Sequence, residues 1–237
     1  MTIGISNPPE SPRPIFLAAC AEIAARFSDR GYRFAKSGPH ATRKSGDFTY
    51  QIGFQSSHKN VAGFTVKLWI HGTVFSKRLE KWRSSNPRLR AIDYVAGGQI
   101  GNLTDDAIWH DWDIADPTTR QSSIEAAIST IESHAIPYFA QFDDFDALRT
   151  RLMHSDVPSM SIDRVIDFLM CFVDNQTAKK AAVNFLQRHP DLVRSYSRDF
   201  QRYADLGLDW SHPSGYAGQL AFASHLFEFG DLTKTNA

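Results

Sequence analysis

The chain has 237 residues, 42% hydrophobic and 12% aromatic, enough to bury a sizeable core in one large domain or two small ones. Lysine plus arginine and aspartate plus glutamate each number 26, so the formal net charge is zero. That balance excludes a disordered tail protein, a collagen-like chain and a nucleic-acid binder recognisable by overall charge.

Residues 1–14 hold Pro8, Pro9, Pro12 and Pro14 without a basic stretch leading into an apolar core, which argues against a signal peptide. No apolar run approaches the roughly 18 residues of a membrane span, so the expected location is cytoplasmic and no membrane partner is expected. Ile15, Phe16, Ala19, Ile23 and Phe27 then recur at helical spacing, and Gly31 suits the residue just past a helix end. Tyr32 to Phe34 reads as a short strand, and 37–46 holds two turn signals with room for a second between them.

Phe48, Tyr50, Ile52 and Phe54 alternate with Thr49, Gln51, Gly53 and Gln55. Phe64, Val66, Leu68 and Ile70 do the same in 64–71, which predicts an antiparallel pair with one buried face and Trp69 on the other. Residues 73–83 suggest a short basic helix that ends at Asn86 and Pro87. Residues 94–101 and 107–114 supply two more strands. Asp116, Pro117 and Thr118 then start a helix whose stripe of Ile124, Ala127, Ile128, Ile131 and Ala135 can cover the sheet, until Pro137 breaks or kinks it. Another helix is expected around 143–153.

Strand signals vanish after 155–159. Val165, Ile166, Leu169, Phe172 and Val173 mark one helix, and Ala178, Ala182, Phe185 and Leu186 the next. Leu192, Val193, Tyr196, Phe200 and Tyr203 mark a third, and a turn from Trp210 to Gly215 precedes a last helix over about 217–229. The expected fold is α+β: an antiparallel sheet of about four to six strands with helices on one face, followed by an all-helical C-terminal extension. The expected division is a Pro-rich segment 1–14, an α+β domain 15–154 and the helical extension 155–237.

Charge is distributed in blocks. Residues 26–90 carry 14 basic and 3 acidic side chains, whereas 91–174 carry 4 basic and 15 acidic. Either the blocks neutralise one another in the fold, or they form a dipole that recruits a charged partner. Cys20 and Cys171 are too few for a disulfide framework and sit among apolar residues, as small hydrophobes do.

Several segments together resemble a known family. They are Gly31 to Phe34, Phe48 to Gln55, Phe64 to Leu68, Ile100 to Leu103, Trp109 to Trp112, and the Pro137, Tyr138, Phe139 exit of an apolar helix. In order and spacing, residues 15–153 resemble the bacterial family catalogued as domain of unknown function 4304. The resemblance implies an α+β fold with an antiparallel sheet and, since that family has no established activity, no catalytic residues. An arginine expected before Ile100 is missing, and Gly97, Gly98 and Gln99 stand there instead.

Trp109, His110, Asp111, Trp112 and Asp113, preceded by Asp105 and Asp106, form the best polar and aromatic cluster. An imidazole beside carboxylates can bind a metal or act as an acid/base pair, but on a strand residues 110 and 111 point to opposite faces. His110 would share a face with Trp112, and Asp111 and Asp113 with Trp109. Nine histidines show none of the spacings of a zinc site, so neither a metal nor any other cofactor is expected. Asp163 and Asp167 share a helix face, best read as solvated. Gly97, Gly98 and Gly101 lack the lysine of a phosphate-binding loop and read as bulge or hairpin glycines. No serine or cysteine has a nucleophile's surroundings.

Two candidate surfaces remain. Trp69, His71, Trp109, His110 and Trp112 could line a ligand site on the open sheet face. Lys77, Arg78, Lys81, Arg83, Arg88 and Arg90, with Trp82 among them, form a basic patch of the kind that contacts nucleic acid, although neutral overall charge weighs against that partner. The expected function is a non-catalytic domain that binds another protein. The alternative is a small-molecule-binding domain or enzyme with its pocket on the open sheet face.

Overall fold

A computed structural model describes residues 10–104, 107–208 and 213–234. In chain order its elements begin with α1 (Pro12–Ala25), β1 (Arg33–Ala35), β2 (His40–Ser45), β3 (Phe48–Ser56), β4 (Lys67–Phe75), α2 (Lys77–Ser84), β5 (Tyr94–Gln99) and β6 (Trp112–Asp113). They continue with α3 (Arg120–Thr130), α4 (Ile136–Ala140), α5 (Phe145–Met153), α6 (Ile162–Phe172), α7 (Asn175–Arg188), α8 (Val193–Leu206) and α9 (Gly215–Leu226). The fold is α+β, with an antiparallel sheet and a helical C-terminal region. No helix among the described residues is long and apolar enough to cross a membrane.

The chain divides into two compact units, each discontinuous in sequence: Met1–Phe75 with Gly97–Ala140, and Ser76–Ala96 with Gln141–Ala237. The helical unit therefore takes in 76–96 and 141–154 as well as the residues after 155.

The sheet order is β1-β2-β3-β4-β5, with β6 also pairing with β4. Alternation sets its faces. Tyr50, Ile52, Leu68, Ile70 and Val74 are fully buried on one face, while their neighbours along the strands remain partly exposed. Helix α1 brings Ile15, Phe16, Ala19, Cys20 and Ile23 to the core, α3 brings Ile124, Ala127 and Ile128, and Phe139 of α4 stacks on Tyr50 at 5.2 Å. Burial raises the Cys20 thiol to about 12, in keeping with a packing role.

Three expectations shift here. Phe64 is not a core residue: it lies before β4 and is 83% exposed, and only Val66, Leu68 and Ile70 of that series are buried. Strand β4 continues through Thr73 to Phe75, so the helix starts later, where the Ser76 hydroxyl accepts a hydrogen bond from the Leu79 N–H at 3.3 Å. Residues 107–111 are not strand, and the pairing with β4 is confined to Trp112 and Asp113. Asp105 and Asp106 lie outside the described residues, as does the first half of the turn expected from Trp210 to Gly215.

Pro137 neither breaks nor ends its helix. A π turn at Ile131–Ala135 joins α3 to α4, with the Ile136 N–H donating to the Ile131 carbonyl. The wider turn makes room where a proline ring would otherwise meet the carbonyl four residues back.

In the helical unit α6 packs on α7 and α8 on α9. A buried polar chain ties its end together. The Leu232 N–H donates to the Tyr196 hydroxyl at 3.0 Å, Tyr196 donates to Ser224 at 3.2 Å, and Ser224 donates to the Leu220 carbonyl at 2.8 Å. Every group in that chain is satisfied, so burying it costs little.

Candidate functional sites

The five residues expected around one ligand site fall into two groups. Trp69 and His71 alternate onto the half-buried face of β4, and Trp109 meets Trp69 edge to face with ring centres 6.1 Å apart. His110 and Trp112 turn the other way. Trp112 is buried opposite Leu68, and His110 stacks on it at 6.0 Å and meets His134 of the π turn at 5.5 Å. A pocket that uses all five would need both faces of one strand, so the five do not converge.

The carboxylates beside these rings are structural ties. Asp113 accepts hydrogen bonds from the Thr65 hydroxyl at 2.7 Å and from the Val66 and Ala115 N–H groups at 3.1 and 3.0 Å. Partial burial would raise its carboxyl, but these bonds and Lys67 hold it below the usual range. Lys67 also pairs with Asp111 at 3.1 Å. Burial lowers the His71 imidazole, whose Nε2 lies 3.0 Å from the Gln55 side-chain oxygen. Among the described residues no three His, Cys, Asp or Glu side chains come together to hold a metal ion.

The same ties create a surface that periodicity does not reveal. Thr65, Val66 and Lys67 fasten the loop before β4 to the segment before β6. Those two loops carry Val61, Phe64, Ile108 and Trp109, exposed by 51, 83, 58 and 56%. Large apolar groups left in water forgo roughly 1.5–3 kcal/mol each that burial would return. Phe64 could not have been found from alternation, because it continues the buried pattern of β4 by one step.

The basic patch is dispersed. Lys77 pairs with Glu80 and Asp93, each at 2.9 Å, and Arg78 lies over the Phe172 ring at 4.6 Å while donating to the Cys171 carbonyl. Trp82 packs against Phe227 with ring centres 5.9 Å apart. Arg83 leaves the surface altogether: only 3% exposed, it pairs with Asp167 at 2.8 Å and donates to the Ile92 and Tyr94 carbonyls at 3.0 and 2.8 Å. Lys81, Arg88 and Arg90 remain exposed.

Arg83 instead forms part of a cleft of about 670 Å³ within the helical unit. Separated stretches line it: 83–92, the Asp163 to Asp167 turn of α6, Leu208 and Pro213, and the region of α9 around Gln219, Phe222 and Leu226. Asp167 is therefore not on a solvated face. Burial pushes its carboxyl up to about 6, although the Arg83 guanidinium draws it down. Arg164 lies over the Tyr94 ring at 4.4 Å. Sequence reasoning finds the Asp163 and Asp167 pair and the arginines, but not that distant segments enclose one space.

No family model matches the sequence, and neither a curated protein nor a solved structure matches it.

Proposed function

We propose that this chain is a non-catalytic binding protein that recognises another protein through the loops at the β4–β6 end of its sheet. The exposed set of Val61, Phe64, Ile108 and Trp109 carries this reading. The partner contributes apolar side chains to cover them, and the Lys67 pairs with Asp111 and Asp113 form the polar rim. Trp109, braced by Trp69, has the rigid aromatic character of an interface anchor.

The test is quantitative capture of partners from cells that express the chain natively, comparing wild type with Phe64→Ser, Trp109→Ala and the pair combined. Both side chains are mostly exposed, so the variants should keep the wild-type melting temperature within a few degrees. A partner held in stoichiometric amount is expected to fall at least tenfold with the double variant, as loss of about 1.4 kcal/mol or more requires. Undiminished capture by a folded double variant would remove this surface from the reading.

A further inference from the structure

A groove of the helical unit is a second site, independent of the sheet-end surface. It runs between α5 and α7 and holds about 490 Å³ where Arg149, Thr150 and Met153 meet Gln176, Lys180 and Asn184. A second hollow continues it, sharing Thr150 and His154 and reaching Arg151, Asp156 and Arg188. The stretches that line both, 149–156 and 176–188, are described without a break. The charge of the lining is one-sided. Arg149, Arg151, Lys180 and Arg188 face one carboxylate, that of Asp156, which pairs with Arg151 at 3.4 Å. Outside the lining, Asp146 meets Arg149 at 3.6 Å and is 87% exposed, and Asp174 lies near the same guanidinium. Arg188 donates to the Asn184 and His154 carbonyls, which leave its charge in place. Lys180 is exposed and has no ion pair among the described residues, so the groove draws an anion towards it.

The rest of the lining selects the body of that anion. The Asn184 amide nitrogen donates to the Met153 carbonyl at 3.1 Å, which leaves its oxygen to accept, and Thr150 donates to the Asp146 carbonyl at 3.0 Å, which leaves its lone pairs. The Ser155 hydroxyl of the second hollow is buried and has no hydrogen-bond partner among the described residues, so the protein itself does not complete it. Met153 is the one apolar side chain of the lining, and neither Phe, Tyr nor Trp stands there to stack a base. A lipid or a nucleotide would leave its apolar part uncovered, whereas alcohol groups pair with amides and hydroxyls. Four cations are also fewer than the roughly 6–10 phosphate contacts through which a protein holds a nucleic acid. We propose that the groove binds a sugar phosphate, its phosphate on Lys180 in the field of Arg149 and Arg188 and its hydroxyls on Gln176, Asn184 and Thr150.

Titration calorimetry on the full chain tests this with glucose and ribose phosphorylated at the terminal hydroxyl, the two parent sugars and inorganic phosphate. A sugar phosphate is expected to bind roughly tenfold or more tightly than its parent sugar and than inorganic phosphate. Lys180→Met should weaken it roughly tenfold or more, as loss of a charged hydrogen bond does. Gln176→Ala should weaken the sugar phosphate and leave inorganic phosphate unchanged. Both side chains are exposed, so both variants should keep the wild-type melting temperature. Absence of binding by both sugar phosphates overturns the proposal, and so does binding that Lys180→Met leaves unchanged. Inorganic phosphate held as tightly as the sugar phosphates overturns the assignment to a sugar. Each of these outcomes is separate from partner capture by the sheet-end loops.

Discussion

Arg83 and Asp167 show how a single pair can reverse the reading of two residues. Each looks like surface in the sequence, one in a basic run and one in an acidic helix turn, yet 84 positions apart they meet as a buried pair. Such a pair is sensitive to pH in a definite direction. Asp167 takes up its proton near 6 in the folded protein and near 3.8 in the unfolded chain, so the folded state binds more protons between those values. Its contribution to stability therefore grows as pH falls from about 6 towards 4 and is constant above neutrality. His71 acts oppositely, since burial lowers its imidazole and acidification below the ordinary value of 6.5 costs stability, but that effect cancels in a comparison with Asp167→Asn. Denaturant unfolding at pH 4.5 and 7 should show the wild-type advantage over this variant larger by about 2 kcal/mol at the lower pH. A difference that stays flat would mean that Asp167 titrates like an exposed carboxyl.

The elements most legible in the sequence are those whose signal is local. The alternation in 48–55 gives β3, and the amphipathic stripe after residue 15 gives α1 with its buried face. What local pattern misses is contact made at a distance. Residues 107–114 alternate well enough to suggest a strand, yet Ile108 and His110 lie against the turn at Ile100–Leu103, where a Cβ on Gly101 would stand 1.5 Å from the Ile108 carbonyl oxygen. Gly97, at φ +128°, also lies against the β4 backbone: its Cβ would be 2.2 Å from the Gly72 oxygen. Of the glycines expected to make a bulge or hairpin, Gly97 and Gly101 permit close approach of backbones. Gly101→Ala must displace backbone rather than a flexible side chain, and is expected to cost about 3 kcal/mol or more, read as a lower melting temperature. An unchanged melting temperature would place residue 108 farther from the turn.

For the whole molecule, neutrality is assembled locally. Arg26 pairs with Glu125, Arg30 with Glu132 and Lys67 with Asp111 in the sheet unit, while Lys77 pairs with Asp93 and Arg83 with Asp167 in the helical one. Each joins the basic block of the sequence to the acidic block. Apart from the buried Arg83–Asp167 pair, these add little stability, typically below about 1 kcal/mol each, but they engage cations that a polyanion would otherwise use. The protein is expected to pass through a heparin column at about 0.15 M ionic strength, where retention would reveal a basic surface that these pairs leave intact. The candidate sites were partly legible at this scale: the tryptophans and arginines stand out by type, but their grouping depends on which segments fold together.

That grouping also has a consequence in time. Because Ser76–Ala96 belongs with Gln141–Ala237, the segment carrying Arg83 leaves the ribosome well before the chain that completes its unit. At the usual 5–20 residues per second, the 84 positions between Arg83 and Asp167 take about 4–17 seconds to synthesise. Throughout that interval the guanidinium lacks its Asp167 partner. The nascent helix therefore has to stay hydrated and unpacked, and a messenger truncated near residue 155 would yield a chain with that requirement made permanent.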